Sequence, residues 1–171
     1  MTLDNNTILK IAHKLELDEA PIVLVFGRLC SGKGTYAQSF YNHEHVVVSG
    51  VVRSLVNSNT RDELQTTAHL DSEIAKELEV SISELLKQNK RVIVDGIRQQ
   101  SIVQMLEKAF CNIEYVWLDV DKDVLRERYK SRADKKDTAD FDVAYDADEL
   151  LGVAELEEYL KTKHSLRIIK H

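Results

Sequence analysis

The stretch Ile22-Val-Leu-Val-Phe-Gly27-Arg-Leu-Cys-Ser-Gly32-Lys33-Gly34-Thr35 decides how the chain of 171 residues is read. Its first five residues are apolar without a break and rich in β-branched types, the pattern of a strand buried on both faces of a parallel sheet. The next nine fit G-x-x-x-x-G-K-G-T, with a helix expected over Thr35 to Tyr41. At average residue frequencies, chance gives this pattern on the order of 2 times in 10,000 chains of this length. Glycines let successive N–H groups turn inward, and a helix N-terminus behind them adds its partial positive charge, so the loop suits a polyphosphate. The residues that would surround it are Gly27, Leu29, Cys30, Ser31, Gly32, Lys33, Gly34 and Thr35, with Lys33 as a mobile cation able to follow charge between oxygens. Gly34 stands where a Ser or Thr hydroxyl usually coordinates Mg²⁺. Magnesium would then be held by phosphates, water and another carboxylate.

Outward from this loop the pattern repeats. Further strand runs are His45 to Val48, Arg91 to Val94 and Ile113 to Leu118, with a last one from Leu166 to Ile169. Helical stretches alternate with them: Thr60 to Gln88, opened by a Thr60-x-x-Glu63 capping box, then Gln100 to Phe110, Lys122 to Ser131 and Asp148 to Lys161. An amphipathic helix precedes the first strand, ending before the Asp18 to Pro21 break. The order predicts an α/β fold with a parallel sheet, helices on both faces and a ligand site at the carboxyl ends of the strands. A polar stretch from Arg126 to Asp148 reads as a surface loop or lid.

Composition narrows the classes. With 23 Lys+Arg against 29 Asp+Glu the formal charge is −6, which disfavours nonspecific nucleic-acid binding. No apolar run has the length of a membrane span, and the charged segment before Ile22 does not read as a secretory signal. The two cysteines, Cys30 and Cys111, form neither a C-x-x-C motif nor a disulfide framework, so a cytoplasmic setting is expected. His43 and His45 have ligand-like spacing but open a strand and lack a third ligand, so a metal site there is not expected. Cys30 reads as a tolerated small residue, and Tyr115 and Trp117 as core.

The G-K-G-T loop resembles that of the nucleoside monophosphate kinase family, the adenylate kinase-like P-loop enzymes, and three further segments follow in the family's order. Val46-Val-Val-Ser49-Gly50-Val-Val-Arg53 resembles the strand and arginine segment that grips the acceptor phosphate. Val92-Ile-Val-Asp95-Gly96-Ile-Arg98 resembles the D-G-F-P-R segment, short by one residue and without its proline. Trp117 to Arg132 resembles the strand and helix leading into the lid.

The resemblance implies a three-layer P-loop NTPase fold, a five-stranded parallel sheet in order 2-3-1-4-5. It implies a single domain over residues 1–171, with an accessory helix at 1–20 and a short lid at about 132–148. It assigns Lys33, Arg128 and Arg132 to the transferring phosphoryl group of ATP, and Ser49, Arg53 and Arg98 to a small nucleotide acceptor. Asp95 would organise Mg²⁺ through water. Arg128 and Arg132 are also four apart, hence on one helix face, and guanidinium forks suit phosphate oxygens. Asp95 ends an apolar strand, where a carboxylate must be paired, lie near a cation or cap a helix.

The short D-G-I-R segment and the Leu151-Gly152 ending also resemble dephospho-CoA kinase-like and phage deoxynucleotide kinase-like relatives. Three glutamines, Gln99, Gln100 and Gln104, are candidates to select the acceptor base. The lid residues lack an arginine beyond Arg132, with Tyr145 near the expected place. Three outcomes stay open: a kinase of a ribo- or deoxynucleoside monophosphate, a nucleotide-binding regulatory module without transfer, and a kinase of another small acceptor such as dephospho-CoA.

Overall fold

The computed structural model describes residues 4–56, 70–132 and 140–170. Its centre is β1 (Ile22–Gly27), whose side chains from Ile22 to Phe26 are all buried. A strand with no solvent face needs neighbours on both edges and layers on both sides, and β1 has them. It pairs in parallel with β3 (Arg91–Asp95) and β4 (Ile113–Asp119). Beyond these lie β2 (His43–Val47) and β5 (Leu166–Lys170), giving the order β2-β3-β1-β4-β5. This is the expected five-stranded parallel sheet.

Alternate residues of the strands feed two cores. One joins Leu24, Phe26, Val94 and Trp117 to α3 (Val48–Val56), α4 (Asp71–Lys87), α5 (Gln100–Ala109) and α8 (Val153–Leu160). The other joins Val23, Val25, Ile93 and Val116 to α1 (Asn5–Asp18) and α2 (Lys33–Gln38). Burying each such side chain contributes roughly 1.5–3 kcal/mol. A third, smaller core packs Leu29 of the glycine loop with Leu125 of α6 (Lys122–Ser131) and Phe141 and Ala144 of α7 (Phe141–Leu150).

Several boundaries differ from the sequence reading. The β-branched run after His45 suggested a strand to Val48, but the strand stops at Val47 and a helix starts at once. The reason is burial at helical spacing: Val48 and Val52, one turn apart, both enter the first core. The helix expected over Asp148 to Lys161 is two helices, divided at Gly152, which adopts φ 102°. The residues from Phe141 to Asp148, within the expected lid, are helical. The Thr60 capping box, the start of its long helix and residues 133–139 of the lid lie outside the described residues.

Candidate phosphate-binding site

The loop between β1 and α2 has the geometry its glycines and spacing demand. Gly32 lies in the left-handed region at φ 91°, and Cys30, with a side chain, also does at φ 62°. That conformation costs a non-glycine residue about 1 kcal/mol or more, so the surroundings must hold it. They do so from α6. Arg128 Nη1 donates to the Cys30 carbonyl at 3.2 Å, and Arg132 Nη1 approaches Cys30 Sγ at 3.3 Å. Both arginines reach the loop, but not from one helix face: Arg128 sits in the last turn of α6, whereas Arg132 is its C-cap, in extended conformation.

Lys33 turns back into the loop, where Nζ donates to the carbonyls of Gly27 and Arg28, each at 2.9 Å. Its ammonium also lies 3.4 Å from the Ser31 hydroxyl, which is buried with its residue. Leu29 contributes its side chain to the third core, while Gly34 and Thr35 form the first turn of α2.

Asp95 reaches the same place from the end of β3. Its residue is buried, at 7% exposure, and a Cβ placed on Gly34 would lie 3.7 Å from Oδ2. The carboxylate therefore stands beside the position of the missing hydroxyl. A single carboxylate oxygen near a phosphate loop matches the preference of Mg²⁺ for hard oxygen ligands, waters and substrate phosphates. The residues present fit a magnesium ion bound largely through water. Asp95 does not cap a helix; its Oδ2 accepts a hydrogen bond from His45 Nε2 at 3.0 Å.

Of the candidate acceptor residues, Ser49 and Arg98 meet at one small cavity, which Arg53 does not line. Ser49, Arg98 and Gln99 line a cavity of about 20 Å³ together with Val52, Ile74 and Leu151. Of the three glutamines, Gln99 is the one at this cavity. Arg53 projects from α3, and its buried Nε finds no hydrogen-bond partner among the described residues. Arg98 is already engaged: its Nε lies 2.8 Å from Asp148 Oδ1, and Asp148 is 2% exposed.

Sequence reasoning missed Asp148, Arg28 and the role of His45. Arg28 binds Glu149 at 2.8 Å and Glu157 at 3.0 Å, with its guanidinium 5.6 Å from the Trp117 ring centre. Tyr145, expected near a missing arginine, has Lys122 Nζ 4.3 Å from its ring centre and Arg28 at 5.9 Å. For His45 strand alternation alone was no signal, because its sharing a sheet face with Asp95 follows only from the register of β2 on β3. Asp148 and Glu149 carried none beyond their charge.

Comparison with known proteins bears on the fold. A sequence model described as an AAA domain matches residues 23–151, the span from β1 to the end of α7. The chain belongs to the AAA domain family. The AAA domain also resembles solved structures. One is an unliganded sugar kinase from Janibacter sp. HTCC2649, with 16% identity, a TM-score of 0.61, and coverage of 88% of this chain and 85% of that one. Another is a chain of the Pnkp1/Rnl/Hen1 RNA repair complex, with 21% identity and a TM-score of 0.59. There the match covers 85% of this chain and 47% of that one, so this AAA domain corresponds to about half of it. At such identities the likeness is one of fold, a kinase-type P-loop architecture. No curated protein matches in sequence. Among the described residues no helix is long and apolar enough to cross a membrane.

Proposed function

We propose that this protein is an ATP-dependent phosphotransferase that moves the γ-phosphoryl of Mg-ATP to the phosphate of a ribo- or deoxynucleoside monophosphate. The observation that carries the reading is convergence. Arg128 and Arg132 meet the phosphate loop at Cys30, Asp95 stands beside Gly34, and Ser49 and Arg98 line a small cavity at Gly96, with Arg53 on the helix that carries Ser49. A protein that only binds ATP has no need of a second group of cations.

In this reading the loop N–H groups and Lys33 bind the donor phosphates. Arg128 and Arg132 stabilise charge on the phosphoryl group in transit. Ser49, Arg53 and Arg98 orient the acceptor. Magnesium, held by Asp95 through water, would screen the phosphate charges when bound. A phosphate acceptor is already ionised, so no general base is required, and catalysis rests on positioning and electrostatics. Packing of α6 and α7 over Leu29 would keep water from the donor. The partner is a small nucleotide rather than nucleic acid or a membrane, and the thiols Cys30 and Cys111, both free, suit a cytoplasmic setting.

A second reading is a nucleotide-binding regulatory module without transfer. The observation favouring it is the Arg98 contact with buried Asp148, which offsets the acceptor-side charge. Mass-resolved product detection separates the two. The protein is incubated with Mg-ATP, mixed ribo- and deoxynucleoside monophosphates and dephospho-CoA, with Lys33→Ala as control. A Lys33-dependent phosphorylated monophosphate supports the kinase, phosphorylated dephospho-CoA reassigns the acceptor, and ATP binding without product supports the module.

A further inference from the structure

His45 is one residue of the site that the proposed chemistry leaves without a task. It lies in β2 opposite Ile93 of β3, while Asp95 lies opposite Val47. Side chains alternate along a strand, so His45 and Asp95 share the sheet face that carries α2 and are diagonal neighbours there. Their side chains meet at 3.0 Å between Nε2 and Oδ2. That oxygen is also the one 3.7 Å from where a Gly34 Cβ would lie. One atom of Asp95 therefore faces both the imidazole and the start of α2.

We infer that His45 is a positioning residue for Asp95, fixing its carboxylate beside Gly34 so that magnesium and its waters meet a preset oxygen. The inference rests on the magnesium role in the proposed function. A carboxylate rotates about its side-chain bonds unless a hydrogen bond selects one orientation, and in most P-loops a hydroxyl after the lysine holds the metal directly. Here that hydroxyl is absent. The burden of orientation falls on Asp95, and the imidazole N–H supplies the fixed partner that a buried carboxylate needs. Groups that orient a metal-organising residue typically matter by 10- to 100-fold in metal affinity or activity.

Two substitutions test this with the full chain. His45→Phe keeps the ring volume and removes the donor, whereas His45→Gln restores an N–H of comparable reach. ATP is titrated into each protein by calorimetry, once with Mg²⁺ and once with a chelator, and melting temperatures confirm folding. The expected result is a 10- to 100-fold weaker gain in ATP affinity from Mg²⁺ for His45→Phe, with affinity in chelator unchanged. His45→Gln should recover most of the gain. In turnover, kcat at fixed Mg²⁺ should fall for His45→Phe while the acceptor KM stays within about twofold.

A wild-type gain retained by His45→Phe overturns the inference. So does an equal loss with and without Mg²⁺, which would make His45 a clip between strands. The binding arm needs no turnover. A wild type that gains affinity from Mg²⁺ but yields no product refutes phosphotransfer and leaves the His45 result standing; a wild type without any gain overturns the inference itself.

Discussion

Lys33 donates to the carbonyls of Gly27 and Arg28 in its own loop, which holds its charge close to the N–H groups of residues 27 to 35. Removing the charge should leave the fold intact and abolish most transfer. Lys33→Ala is expected to lower kcat by about 100-fold or more, the scale seen when one electrostatic stabiliser is lost. Full activity in a kinase assay would refute that role. Gly27 is constrained differently: a Cβ there would fall 2.5 Å from Ser31 Oγ and 3.1 Å from the Leu118 carbonyl. Gly27→Ala should cost about 1–3 kcal/mol in denaturant unfolding, because the backbone of β4 cannot retreat without unpairing from β1. The loop residues were legible because their spacing is local. His45 and Asp148 were not, since each acquires its partner only through strand register or helix packing, and the nearest of those partners is 50 residues away in sequence.

At the level of elements, a charged cluster joins α5, β4 and α8. Glu107 of α5 accepts from Tyr115 of β4 at 2.7 Å and from Tyr159 of α8 at 2.5 Å, and pairs with Lys163 at 2.8 Å. Burial alone would raise the Glu107 carboxyl, but the hydrogen bonds from Lys163, Tyr159 and Tyr115 outweigh it and hold it below the usual carboxylate range. A lowered carboxyl gives stability that is fully present above the unfolded value, near pH 4.3, and lost as pH falls through the folded one. Unfolding free energy should therefore decline below about pH 5, and Glu107→Gln should flatten that decline while lowering stability at pH 7. An unchanged acid limb in the variant would show that other carboxylates carry it. Periodicity foretold most of the helices, though not α7, which was read as lid; nor did it show the break at Gly152 or the helix beginning at Val48. Both depend on what the segment meets in space. Val48 reads as a strand residue until the sheet and α4 offer it, together with Val52, a buried face.

On the scale of the whole molecule, α7 spans the site. Its adjacent carboxylates divide their attention: Asp148 holds Arg98 at the small cavity it shares with Ser49, and Glu149 holds Arg28 of the glycine loop. Arg28 also binds Glu157, so its loss would leave two half-buried carboxylates facing one another. Arg28→Ala should destabilise by about 1–3 kcal/mol, between the worth of surface and buried pairs. By scanning calorimetry that is a fall of several degrees, at about 2–4 °C per kcal/mol for a chain this size. A Tm unchanged within about 1 °C would show that solvent screens the pairs. The alternation of strands and helices made a parallel sheet readable, while its strand order was readable only through the family resemblance. How α7 packs was not, because its apolar residues, Phe141 and Ala144, find a core only where Leu29, Val120 and Leu125 come together.

Trp117 gives this arrangement a practical consequence. It is the only tryptophan in the chain, it lies under the Arg28 guanidinium, and it lines a cavity of about 200 Å³ between β4, β5 and α8. Its buried indole N–H has no hydrogen-bond partner among the described residues, so its emission is sensitive to any polar group that approaches. The protein thus carries a native optical probe at the junction of loop, sheet and α8, and movement of Arg28 can be followed by fluorescence without a label.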